Sequence, residues 1–102
     1  VPTSSFISSG QTISGMLTSG NRDLWEFEAS AGTVVTISLE GEFDTYLELI
    51  GPDGREVTRD DDGGNGLNSL ISGQSLSQSG VYVIVVRGFS NNASGSYTLS
   101  LQ

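Results

Sequence analysis

Apolar residues in this chain recur with a period of two over short stretches, and breaks rich in Gly, Ser and Asn separate those stretches. A strand sends successive side chains to opposite faces, so this pattern suits half-buried strands of an antiparallel sheet and fits no helix. In DLWEFEA, Trp25, Phe27 and Ala29 alternate with Glu26 and Glu28. In TVVTISLE, after a turn at Gly32, Val35, Ile37 and Leu39 alternate with Thr36, Ser38 and Glu40, so it is the expected hairpin partner of the strand before it. TYLELI runs into GPDG, where Pro52 presets φ and Gly54 accepts positive φ, which predicts a hairpin into REVTRD. GVYVIVVRG is apolar on both faces, Tyr82, Ile84 and Val86 against Val81, Val83 and Val85, and reads as a central strand covered at least partly on each side. GSYTLSL turns Tyr97, Leu99 and Leu101 inward, NSLIS adds another strand, and QTISGML supplies Ile13 with a bulge candidate at Gly15. The expected fold is all-β, an antiparallel, jelly-roll-like β-sandwich of about eight strands.

A chain of 102 residues builds one core, and the polar, Ser-rich opening VPTSSFISSG shows no alternation. We therefore read residues 1–10 as a linker that docks at most through Phe6 or Ile7, and residues 11–102 as one domain. No apolar run of membrane-spanning length and no signal-peptide pattern is present, so the chain reads as an excised piece or a mature product. Net charge is −8, and all four positive charges are Arg. This balance leaves no basic patch for a nucleic acid, disfavours an anionic membrane surface, and points to a soluble monomer. Without His, Cys or Lys the chain lacks the usual general base, the common zinc ligands and every ordinary means of activating its many serines, so no enzyme is expected.

The stretch TRDDDGGNGLNSLI crowds oxygen ligands on a Gly-rich loop. Calcium takes six to eight oxygens, but three adjacent Asp cannot converge: in extended chain Asp60 and Asp62 share one face and Asp61 takes the other. At most two of these carboxylates, with the carbonyl oxygens of Asn65 or Asn68, meet one ion, joined by Asp44 of FDTYL if the two segments adjoin. The alternative is a turn in which Asp and Asn side chains accept backbone N–H bonds and Asp61 or Asp62 pins neighbouring strands. We read the loop as turn first and cation site second, with no cofactor required and calcium the one cation it would admit. Glu26 and Glu28 read as a solvated strand face rather than a catalytic pair. Tyr46, Ile50, Val34, Val83 and Val85 fall opposite the expected core as an apolar patch, unless one strand is inverted or loops cover it.

In order along the chain, the Asp-x-Trp-x-Phe strand at Asp23, Trp25 and Phe27, the segment FDTYLEL, the GPDG turn, the Asp-Asp-Gly loop and the Ser-Gly-x-Tyr before the central strand resemble the bacterial pre-peptidase C-terminal domain. The resemblance spans roughly residues 10 to 102. It implies a non-catalytic β-sandwich appended to a secreted bacterial protease, aiding secretion or folding, or docking on protein substrate. The parent catalytic domain is then the expected partner, and the location extracellular. The collagen-binding domains of clostridial collagenases look like relatives, which brings in the alternative of a stand-alone substrate-binding module for insoluble protein such as collagen, or for polysaccharide. In calcium-binding relatives the ion sits between an acidic N-terminal linker and the loop before the Asp-x-Trp-x-Phe strand; Asp23 matches that loop, but VPTSSFISSG offers no carboxylate. In collagen-binding relatives aromatics surround the end of the central strand. There the matching VRGFSN gives Phe89 and, in place of an aromatic, Arg87, with Tyr46 and Thr58 as the outward residues beside them.

Overall fold

The computed structural model describes residues 4–18, 20, 22–60, 68–88 and 94–102. Its strands are β1 (Ser4–Phe6), β2 (Gln11–Leu17), β3 (Asp23–Ala29), β4 (Val34–Gly41), β5 (Thr45–Ile50), β6 (Glu56–Asp60), β7 (Ser69–Ser75), β8 (Gly80–Gly88) and β9 (Gly95–Leu101), with no helix among the described residues. They form two layers, a five-stranded sheet in the order β1-β3-β8-β5-β6 and a four-stranded sheet in the order β2-β9-β4-β7. All pairings are antiparallel except that of β1 with β3. β1 lies within the stretch read as a linker, and it brings Ile7 into the core at 2% exposure while Phe6 stays 74% exposed.

The period of two decides which side chains fill the space between the sheets. Phe27, Val35, Ile37, Leu39, Leu47, Leu49, Tyr82, Ile84, Val86, Tyr97, Leu99 and Leu101 are all buried and form one cluster, in which the Phe27 and Tyr82 rings stack with centroids 5.5 Å apart. Trp25, expected among them, is only half-buried and packs against the cluster's flank. β8 is the middle strand of its sheet, as its two apolar faces predict. GPDG joins β5 to β6 with Gly54 at φ 82°, where a side chain would be strained, and the Gly54 N–H donates to the Gly51 carbonyl at 2.9 Å.

Two expectations fail. β3 and β4 are not a hairpin: β3 pairs with β8 and β1, β4 with β7 and β9, because the Ser30–Thr33 turn carries the chain from one sheet to the other. Two alternating strands joined by a short turn look the same whether they share a sheet or face each other across the core. Gly15 is no bulge, since β2 and β9 pair in unbroken register from Gln11 to Leu17. The register shifts fall instead between Val35 and Ile37 on β4 and between Leu49 and Ile50 on β5.

Candidate functional site

The polar residues singled out in the sequence fall at three places. On one flank, Asp23 opens β3 and accepts a hydrogen bond from Tyr97 Oη at 2.5 Å, and that hydroxyl accepts one from Trp25 Nε1 at 3.1 Å. The chain Trp25 to Tyr97 to Asp23 crosses from one sheet to the other and engages the carboxylate that matched the family's calcium loop. Burial first, and then the hydrogen bond to Asp23, push the Tyr97 phenol above its usual range, while the bond from Trp25 opposes them.

At the opposite flank, Asp60 ends β6 and its Oδ2 accepts the Leu70 N–H at 2.7 Å, which fastens β6 to β7 across the two sheets. This is the strand-pinning role the turn reading assigned to its neighbours. Beside it the buried Thr45 and Ser69 hydroxyls lie 2.7 Å apart, and Asn68 Oδ1 accepts the Gly41 N–H at 3.3 Å. Asp44, at the entrance of β5, holds a buried Oδ1 that makes no hydrogen bond among the described residues.

Asp23 and Asp60 do not share an ion. The register runs Asp23, Val86, Leu47, Asp60 across four adjacent strands, which separates their backbones by about 14 Å at the usual strand spacing. Among the described residues no three acidic side chains converge as a metal site requires. Asp62 and Asn65 lie outside the described residues.

The third place is the outer face of the five-stranded sheet. Arg87 on β8 and Tyr46 on β5 are cross-strand partners, and the guanidinium carbon sits 4.0 Å from the Tyr46 ring centre while Arg87 Nε donates to Glu48 Oε1 at 2.7 Å. The cluster is semi-buried, with Arg87 and Glu48 side chains 28% and 19% exposed. Glu48 went unnoticed in the sequence. Its signal was there, as an acidic residue on the same strand face as Tyr46, opposite an arginine. Below the cluster, Leu24, Val83 and Ile50 are half-exposed and Val81 and Val57 are exposed, so part of the expected apolar patch is here, whereas Val34 lies on β4 in the other sheet. Val85, expected on it, is 6% exposed and covered. Thr58 does not belong here: it pairs with the buried Leu49 and so faces the core side of the edge strand, because the shift at Leu49 and Ile50 sets its parity. Phe89 lies outside the described residues.

At one end of the sandwich a cleft of about 430 Å³ opens between the sheets, with Ile7, Phe27, Val35 and Leu101 as its floor and Glu28 and Ser30 at its rim. No nucleophile paired with a base lines it.

The described polar groups therefore hold strands together, in a two-layer β-sandwich. Residues 21–88 match the model of the bacterial pre-peptidase C-terminal domain, and the chain belongs to that family. No curated protein is significantly similar to it in sequence. Among solved structures it is similar to the pre-peptidase C-terminal domain of a collagenase from Bacillus anthracis, with 20% identity and a TM-score of 0.82 over 100% of this chain and 97% of that one. It is also similar to PliG, a periplasmic inhibitor of g-type lysozyme, from Aeromonas hydrophila (18% identity, TM-score 0.73, 98% of this chain and 96% of that one) and from Salmonella Typhimurium (20%, 0.69, 97% and 96%). At these identities the likeness is one of fold.

Proposed function

We propose that this chain is a non-catalytic accessory domain of a secreted bacterial protease, which serves the enzyme by supporting its folding or secretion or by docking on protein substrate. The family match over residues 21–88 carries the reading. The chemistry supports it: Asp23 and Asp60 are engaged in bonds between strands, and the chain offers no His, Cys or Lys to activate a nucleophile. In this reading the fold needs no cofactor, and the protein works outside the cytoplasm, a location that the periplasmic inhibitors of like fold support.

The contact surface we assign is the outer face of the five-stranded sheet, around Tyr46, Arg87 and the apolar residues below them. A second reading, a stand-alone binding module, draws on the same patch, since exposed apolar area ringed by charge marks contact sites. The same fold is found in PliG, a periplasmic inhibitor of g-type lysozyme.

One experiment tests both. The purified chain, mixed with insoluble collagen, gelatin and casein particles, is expected to hydrolyse none of them and to be retained on at least one, with retention reduced in Tyr46→Ala. Turnover abolished by a single carboxylate substitution would overturn the non-catalytic reading, and no retention on any of them would remove substrate docking and leave folding or secretion support.

A further inference from the structure

The sandwich has four sheet edges, β1 and β6 in one sheet and β2 and β7 in the other. An edge strand offers unpaired N–H and C=O groups to any passing chain, and proteins blunt such edges with shortness, charge, proline or bulges. β1 is three residues long. β6 carries Glu56, Arg59 and Asp60, and meets β5 through a register shift. β7 meets β4 through another shift, holds Gly73 at φ 63°, and is tied to β6 by Asp60. β2 has none of these devices. Its seven residues, QTISGML, contain no charge and no proline and run in unbroken register with β9, its one strand neighbour among the described residues. Thr12, Ser14 and Met16 are exposed, Met16 at 63%.

The core is also unfinished along that side. Ile13 on β2 and Trp25 on β3 pack against the buried cluster yet remain half-exposed, as they would if a cover were missing. Sequence patterning puts Ile13 on the inner face with Gly15 and Leu17, and Thr12, Ser14 and Met16 on the outer one; the Thr12 and Ser100 hydroxyls, 3.2 Å apart, mark that outer face.

We propose that β2 docks on β2 of a second copy of this chain, antiparallel about a two-fold axis at Ser14, joining two four-stranded sheets into one of eight. QTISGML accepts this register against itself. With Ser14 opposite Ser14, Thr12 falls opposite Met16, Gln11 opposite Leu17 and Ile13 opposite Gly15, so each inward residue meets an inward one and each outward residue an outward one. Ile13 then stands opposite Gly15 of the facing strand, where the Tyr97 ring of that copy covers the inner face, so an apolar side chain meets an aromatic ring. The net charge of −8 argues for a monomer when composition alone is considered, but neither β2 nor β9 carries a charged residue, and like charges are not brought opposite one another along this edge.

Sedimentation equilibrium of the whole chain from micromolar to millimolar concentration tests this. A monomer–dimer equilibrium is expected, and Ser14→Lys, which sets two like charges on the axis, should raise the dimer dissociation constant by about tenfold or more. Thr12→Lys, which places a charge opposite Met16 rather than a like charge, should raise it by less. Both positions are exposed, so the thermal melt by circular dichroism should stay that of the wild-type monomer. Because the chain has no Cys, Ser14→Cys should yield a disulfide-linked dimer on mild oxidation, while Ser72→Cys on β7 should not. A wild type that is monomeric at millimolar concentration would overturn the proposal, as would a dimer that both lysine variants leave intact or equal crosslinking through Ser72→Cys. A monomer whose β2 amide resonances shift on adding a synthetic peptide with the β9 sequence would assign the edge to a foreign strand, and self-docking would fall.

Discussion

Gly15 on β2 lies directly beneath the ring of Tyr97 on β9, so close that a β-carbon at Gly15 would stand 2.5 Å from Tyr97 Cζ and Oη. The missing side chain is what lets the phenol lie across the strand and reach Trp25 and Asp23 in the other sheet. Gly15→Ala is therefore expected to destabilise the domain by about 1–3 kcal/mol, the usual cost of overpacking. Urea unfolding followed by the fluorescence of Trp25 measures it, and an unchanged midpoint would mean that the ring does not lie where described.

Tyr97 should also set the alkaline limit of stability. Burial raises its pKa in the folded state, so its contribution is complete below the ordinary tyrosine value of about 10 and is lost as pH climbs past it. Melting temperature plotted against pH is expected to fall on that side. Tyr97→Phe should flatten this limb while costing about 1–3 kcal/mol at neutral pH, because Trp25 Nε1 and Asp23 lose their partner.

The acid side rests on Glu42 and Asp53. The Ser96 N–H holds the Glu42 carboxyl below its usual range, and the Arg55 N–H, then the Gln78 amide, do the same for Asp53. Stability from these groups is present above the ordinary carboxylate range and lost as pH falls below it. Both are exposed to solvent, so the effect is small; Glu42→Gln should make the acid limb of the melting curve shallower, and a limb as steep as the wild type's would remove Glu42 from it.

Asp60 separates the two readings of the acidic loop. If it is a strand fastener, Asp60→Ala costs about 1–3 kcal/mol in calcium-free buffer, and Asp60→Asn costs less because its amide oxygen still accepts the Leu70 N–H. Added calcium should stabilise the wild type only modestly, well short of the ~2.7 kcal/mol that a hundredfold excess over Kd would give. Titration calorimetry that finds a micromolar site, lost in Asp60→Asn, would make Asp60 a ligand instead.

Arg87 is better anchored than a surface arginine, held by the Glu48 carboxylate and the Tyr46 ring at once. Removing it in Arg87→Ala should cost about 1 kcal/mol, discounted for its partial exposure. A double-mutant cycle with Glu48→Gln is expected to show that the two substitutions are not additive.

Alternation alone determined most of the architecture. Trp25 and Phe27, Val35 through Leu39, the GPDG turn and the doubly apolar GVYVIVVRG carry their own periodicity and turn chemistry, which are local properties, and from them come the strands, the middle place of β8 and nearly all of the core. The ordered motifs around Asp23, Asp44, Pro52 and Asp61 were enough to indicate the family. Tertiary structure alone decided which strands share a sheet, since β3 and β4 alternate alike whether they pair side by side or face each other across the core. It decided parity after a bulge, which turned Thr58 inward, and it decided partners distant in sequence: Gly15 with Tyr97, Asp60 with Leu70, Arg87 with Glu48. A lone Gly within a strand does signal a close approach, but the sequence does not say of what. Such contacts depend on register between strands, and register is fixed only when the two sheets close on one core.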